Sequence, residues 1–181
     1  MDHGFLVRQI ATGDKTAFQA LYKDLEKPVF RFILSRLNDS FEAADILHDV
    51  FMEIWRSAGS FEGKAQVKTW VMGIAWRKTV DAHRRRGRIS PTDDLPEEVD
   101  DSIDTEACIA AGQRAEHVRF CLEQLKPDHR TAVALAFYED MTYGEIAAVQ
   151  SVPEGTIKTR IFHAKKLLLR CLAGRLGEDP I

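Results

Sequence analysis

Two helix starts stand nine residues apart late in the chain. Thr142-Tyr-Gly-Glu145 and Ser151-Val-Pro-Glu154 both read as capping boxes, a hydroxyl N-cap followed three residues later by glutamate. Starts so close predict a short helix, a tight turn and a second helix, which is the spacing of a helix-turn-helix. Ile146, Ala147 and Val149 form the apolar side of the first helix. The second is expected from about Val152 to about Leu172, with Ile157, Ile161, Ala164, Leu168 and Leu172 turned inward. Lys158, Thr159, Phe162, His163 and Lys166 then share the outer side of its first half, and Gly155 leaves the backbone bare enough to approach a phosphate. Cationic heads neutralise phosphates, while Thr, Arg and His read base edges. The competing reading is a solvated basic face.

The rest of the chain is helical in pattern too. Ala17, Phe18, Leu21, Tyr22 and Leu25 keep i, i+3, i+4 spacing, and Phe30, Ile33, Leu34 and Leu37 continue it after Pro28. Pro28 is expected to open a new helix, where its missing N–H costs nothing. Asp39 with Glu42 reads as another capping box, ahead of a stripe of Ala43, Leu47, Val50, Phe51 and Ile54. A loop at Gly59–Gly63 and a helix of roughly 20 residues from about Gln66 to Arg86 follow. No period-2 alternation is long enough for a strand, so the predicted class is all-α. The longest apolar run, Ala132 to Tyr138, is far below the ~20 residues of a bilayer span, and the N-terminus lacks a signal pattern. A cytoplasmic protein is expected, without membrane insertion. Three cysteines, Cys108, Cys121 and Cys171, without Cys-x-x-Cys spacing argue against a disulfide framework.

A net charge of −3 hides strong local asymmetry. Residues 64–88 carry eight Lys or Arg and one Asp, and residues 154–175 carry six against one Glu. Eight acidic residues run from Asp93 to Glu106 with no basic residue among them. Together with Pro91 and Pro96 they describe a self-repelling linker. The expected organisation is two small helical domains, 1–87 and 106–181, joined by an acidic flexible linker at 88–105 and free to move relative to one another.

In the first basic stretch Phe61, Trp70 and Trp76 interleave with Lys64, Lys68, Arg77, Lys78, Arg84, Arg85 and Arg86. Such cations draw in a nucleic-acid backbone, and aromatics stack on unpaired bases at ~1–3 kcal/mol per base. Phe61, between Gly59 and Gly63, is the better candidate for touching a base, and Trp70 reads as core. Asp81 is expected to pair with Arg85 or Arg77. On the helix at 40–57, Asp45, Asp49, Met52 and Glu53 lie off the core stripe with Ile46 among them. That is either an ordinary wet face or a docking face for a basic partner helix.

Catalysis finds little support. His48-Asp49 raises a metal-dependent phosphohydrolase, yet metal sites need three or four converging ligands, and His117 with Cys121 at i, i+4 is half of one. No Gly-rich phosphate loop or nucleophile–base pattern accompanies them. No catalytic residue, metal or cofactor is expected.

Six segments together resemble a known family: GDKTAFQALY (13–22), ADILHDVFMEIW (44–55), SFEG (60–63), TWVMGIAWRKTVDAHRRR (69–86), LEQLKPDHR (122–130) and MTYGEIAAVQSVPEGTIKTRIFHAKKLL (141–168). In order and spacing the chain resembles a bacterial sigma factor of the extracytoplasmic-function (ECF) type, the smallest class of the sigma-70 family, over about residues 11–173. The resemblance implies a promoter-specificity subunit that joins core RNA polymerase and directs initiation, performing no bond chemistry. It implies that Asp45, Ile46, Leu47, Asp49, Val50, Phe51 and Glu53 bind the coiled coil of the polymerase largest subunit. It places Phe61, Gly63, Lys64, Lys68, Trp70, Arg77, Lys78, Arg84, Arg85 and Arg86 at the −10 element, with one non-template base captured near Phe61. Thr142, Gly155, Thr156, Lys158, Thr159, Arg160, Phe162, His163 and Lys166 would hold the −35 element. The linker would thread the polymerase cleft towards the RNA exit path, and an anti-sigma factor, in this family often membrane-linked or zinc-bearing, would hold the chain inactive; the linker's own negative charge suits a stand-in for RNA.

Four positions depart from the family pattern. Ala75-Trp76-Arg77 stands where Ala-Arg-Asn is common, His48 where Gln is common, and His163 where Arg is common. Histidine adds charge only when protonated. The rival reading is a two-domain helix-turn-helix regulator without polymerase function. Its first half would need a ligand pocket or phosphoacceptor pattern, and this one offers basic and aromatic residues instead.

Overall fold

The computed structural model describes residues 2–86 and 107–176. The acidic stretch expected to link two domains, 88–105, lies outside the described residues, as does the chain end after residue 176. The all-α expectation holds, with no strand among the described residues. The helices are α1 (His3–Ala11), α2 (Lys15–Leu37), α3 (Ser40–Ser57), α4 (Val67–Arg86), α5 (Ala107–Glu123), α6 (Pro127–Phe137), α7 (Tyr143–Gln150) and α8 (Glu154–Leu176), with a 3-10 turn at Ala58–Ser60.

Short polar side chains set most of the boundaries. Asp14 caps α2 by accepting from the N–H groups of Thr16 at 2.8 Å and Ala17 at 3.1 Å. Asn38, left-handed at φ 55°, closes α2 by donating its N–H to Leu34 O at 2.9 Å. Asp39 accepts from Glu42 N at 2.9 Å, but the Glu42 carboxylate turns to Arg86, so only half of the expected box forms. The Thr142–Glu145 box is complete, with Thr142 N donating to Glu145 Oε2 at 2.8 Å and Glu145 N donating to Thr142 Oγ1 at 3.3 Å.

Two boundary expectations are corrected. Pro28 does not open a helix; it sits inside the single 23-residue α2. Its ring forfeits one backbone bond, and the loss is outweighed by a continuous buried stripe of Ala17, Leu21, Leu25, Val29, Phe32, Ile33 and Leu37 on one side. Ser151 does not start the second helix of the helix-turn-helix. It ends the first, left-handed at φ 54°, with its N–H on Ala147 and Ala148 carbonyls. The second helix begins at Glu154 instead.

Helices α1 to α4 close around Leu21, Ile33, Phe51, Ile54, Met72 and Ile74, all nearly inaccessible. Phe18 meets Trp55 edge-on at 5.3 Å and Tyr22 lies 4.4 Å from Phe51. Helices α5 to α8 surround Leu135, Ile146, Ile157 and Ile161, with a satellite of Leu125, Val133 and Ala164. The two sets also meet, α4 packing on α7 and α2 on α6, so that buried apolar residues run continuously from one into the other. The cysteine expectation is overturned as well: Cys121 of α5 and Cys171 of α8 form a disulfide, with Cα atoms 5.8 Å apart. Sequence spacing hid it because the two meet only where α5 crosses α8.

Candidate nucleic-acid interface

Helix α8 presents its first half to solvent as the periodicity requires. Ile157, Ile161 and Ala164 are buried, while Lys158, Thr159, Phe162, His163 and Lys166 are exposed along the opposite side. Phe162 leaves 65% of its surface in water with His163 edge-on to it at 5.6 Å. A Cβ at Gly155 would meet nothing within 4 Å, so the fold itself does not require glycine there. Glu154 bonds Lys158 at 2.9 Å and raises its pKa, keeping the ammonium charged. Thr159 Oγ1 donates to Gly155 O at 3.0 Å, and Thr156 is half-buried. Arg160 is turned inward, donating to Asp128 Oδ2 at 3.1 Å and to the Gln150 side-chain oxygen, so it braces α8 against α6 and α7. Thr142 is occupied by its capping bonds. The Thr142 backbone N–H and then its hydroxyl, both donating to the carboxylate at 2.8 Å, with a third bond from the Thr69 hydroxyl, hold the Glu145 carboxyl below the ordinary glutamate range.

The first basic stretch divides into exposed and engaged members. Phe61 and Trp70 meet at 4.9 Å with their rings tilted by 42°, both half-buried, so Trp70 is not simply core. Phe61 lines an open cavity of about 390 Å³ with Gly63, Gln66 and Lys68 on one side and Asp2, His3 and Arg8 on the other. Gly63 takes φ +70°, a conformation other residues adopt only with strain. Lys64 pairs with Glu62, and Arg77 and Arg85 are exposed. Lys78 pairs with Glu53 of α3 at 3.4 Å. Asp81 pairs with Arg84 at 3.8 Å, not with Arg85 or Arg77 as expected. Arg86 folds back to Leu37 O at 3.0 Å and Asp39 Oδ2 at 3.3 Å, tying the end of α4 to the α2–α3 corner.

On α3, Asp45, His48 and Asp49 are exposed and Glu53 is half-exposed. Ile46 is corrected: at 4% exposure it is core, not the apolar centre of a wet face. Leu47, Val50 and Phe51 are buried too, so a partner on this face meets the carboxylates, which those residues position from below.

Sequence reasoning missed Arg36, Arg31 and Glu139. Arg36 is 6% exposed, with its guanidinium 3.9 Å above the Trp76 ring and donating at 2.9 Å to both Thr79 Oγ1 and Thr131 Oγ1. Burial pushes its pKa down to about 10, against the pull of Asp128 at 3.9 Å. Glu139, in the turn after α6, accepts from Lys68 Nζ at 2.8 Å and from Arg31 Nη2 at 3.1 Å. The only sequence signal was an acidic pair, Glu139-Asp140, breaking an apolar run, and partners 71 and 108 residues away leave no local trace.

The chain matches the Sigma-70 region 2 family over residues 21–89 and the Sigma-70, region 4 family over residues 116–168. It is 31% identical over 176 residues to the ECF RNA polymerase sigma factor SigK of Mycobacterium sp. (strain JLS), covering 94% of this chain and 91% of that one. It is 29% identical to the RNA polymerase sigma-H factor of Pseudomonas aeruginosa, covering 96% and 95%. Its fold is similar to CnrH solved in complex with the cytosolic domain of CnrY, at a TM-score of 0.72, 20% identity and coverage of 96% of this chain and 99% of that one. It is also similar to the sigma factor RpoE of Bartonella quintana solved with the anti-sigma factor NepR, at 0.68, 23% identity and coverage of 86% and 96%.

Proposed function

The chain belongs to the ECF class of RNA polymerase sigma factors in the sigma-70 family, and from that membership we propose how its surfaces divide the work of promoter selection. It is a transcription initiation factor that lends core polymerase a choice of start site, working in the cytoplasm and making or breaking no covalent bond. Residues 1–87 form the unit that docks on the core and handles the −10 element. Residues 106–181 form the unit that holds the −35 element, and 88–105 tether them.

Asp45, Asp49 and Glu53 on α3 supply the carboxylates that meet a basic partner helix of the core. At the −10 element Phe61, packed against Trp70, offers an aromatic face to a base in a cavity large enough to hold it, and the exposed Lys64 and Arg77 serve the strand's phosphates. At the −35 element α8 enters the major groove. Lys158 and Lys166 serve phosphates, Thr159 and His163 serve base edges, Phe162 packs on thymine methyls, and bare Gly155 lets the backbone close on a phosphate. Arg160 acts there as a positioning residue. Either surface alone is small; held at fixed spacing by the core, each raises the other's effective concentration. An anti-sigma factor holds the chain inactive; the sigma factor RpoE of Bartonella quintana is solved in complex with one, NepR.

The observation that carries this reading is the exposed first half of α8. Five residues able to contact DNA stand on one side, behind a completed capping box and a left-handed turn, beside a glycine the fold does not need. Co-elution with purified core polymerase tests it. The wild-type chain and Lys158→Ala are expected to co-elute, with Lys158→Ala losing protection over the −35 element. Asp45→Lys/Asp49→Lys is expected to keep its helical spectrum and lose the complex. A wild-type chain that elutes apart from the core contradicts the reading.

A further inference from the structure

One cation of the surface assigned above to the −10 element is held by the chain's own second half, while Arg77 and Arg85 stay exposed. Lys68, at the start of α4, directs its ammonium at Glu139 and bonds both the carboxylate at 2.8 Å and the backbone oxygen at 3.0 Å. Arg31 of α2 takes the other carboxylate oxygen at 3.1 Å. The Glu139 side chain is 7% exposed although it stands in a turn, so two cations from the first half bury it. One residue further along α4, Thr69 donates to Glu145 at 3.3 Å, the same carboxylate that caps α7. On the far side of the contact Arg36 reaches across to Thr131.

A carboxylate fed by a lysine and an arginine presents what a DNA phosphate presents: negative charge and acceptor oxygens at hydrogen-bond distance. We propose that Glu139 is an internal phosphate mimic that latches the chain shut, holding Lys68 until the two halves separate. The proposal rests on the reading of α4 as the −10 surface. Geometry makes the latched form incompetent for promoters. Packed helices lie about 8–10 Å apart axis to axis. Elements centred about 25 base pairs apart lie about 85 Å apart along B-DNA at 3.4 Å per pair. With α4 against α7, one chain cannot serve both elements, so engaging DNA at either surface through the core must break the Glu139 bonds. The latch therefore suppresses DNA binding by the free chain and opens when the core or DNA supplies better partners for the same cations.

Glu139→Gln keeps the shape and removes the charge. Small-angle scattering of the free chain is expected to show a larger radius of gyration than wild type. Affinity of the free chain for a single-stranded −10 oligonucleotide is expected to rise about tenfold, equivalent to ~1.4 kcal/mol. Lys68→Gln breaks the same pair and is expected to expand the chain without that gain, because the cation itself is lost. A Glu139→Gln chain as compact as wild type overturns the latch, and so does an expanded one whose oligonucleotide affinity does not rise. Run-off transcription by wild type with core polymerase, from promoters with intact and scrambled −10 elements, separates the two levels. If −10 dependence persists while Glu139→Gln fails these tests, the latch falls and the −10 reading stands. If wild type shows no −10 dependence, the latch falls with the reading it rests on.

Discussion

His83 shows how a single side chain couples this fold to pH. Its Nε2 lies 3.0 Å from Arg36 O, and donating there requires a proton on that nitrogen. Burial, then the Arg36 guanidinium and Arg86, hold the imidazole below the ordinary histidine value of 6.5, against the opposing pull of the Arg36 bond and Glu42. His129 is lowered too, by burial and then by Arg160, Lys126 and His163. The unfolded chain therefore binds protons that the folded chain refuses. Stability is full above about pH 6.5 and falls as the pH drops below it. Urea midpoints at about pH 7.5 and about pH 5.5 are expected to differ, with a smaller difference in His83→Gln. An unchanged difference in the variant would remove His83 from the account. Arg36 lies at the centre of the same corner. Its buried charge costs desolvation and is offset by two hydroxyls, the Trp76 face and Asp128. None of these partners stands near residue 36 in the chain, which is why a buried arginine on an otherwise apolar stripe drew no notice in the sequence.

Among the helices, periodicity and caps were readable where they are local. The Thr142–Glu145 box, the inward set of α8 and the extent of α4 all follow from residues within a few turns. The misreadings share a cause. Pro28 breaks a local rule that a long buried stripe overrides, and Ser151 fits two roles of which the left-handed closure of α7 prevails. The pairing of Cys121 with Cys171 depends on a crossing of α5 and α8 that spans 50 residues. That cross-link closes a loop long enough for chain entropy to contribute roughly 2–4 kcal/mol. Reduction by dithiothreitol, or Cys121→Ser/Cys171→Ser, is therefore expected to lower the thermal midpoint of the helical signal. An identical midpoint with and without the reductant would show that packing alone secures α5 on α8.

For the whole molecule, the sequence conveyed the two basic surfaces and the helical class. It conveyed the contact between the halves only as an unexplained acidic pair at 139 and 140. Exposed residues on α8 and on the loop before α4 were legible because solvent-facing positions follow from periodicity. Engaged ones, Lys68, Arg86 and Arg160, were not, because their partners come from other elements. No helix among the described residues is long and apolar enough to cross a membrane. The central claim is that this chain dictates where an RNA polymerase begins. Start-site mapping on a randomised promoter library, with core polymerase alone and with core plus the chain, tests it most directly. The account predicts that adding the chain concentrates starts downstream of two short motifs at one fixed separation, and that Thr159→Ala/His163→Ala, which removes the base-edge contacts, erases selection at the upstream motif. Starts distributed identically with and without the chain would contradict it.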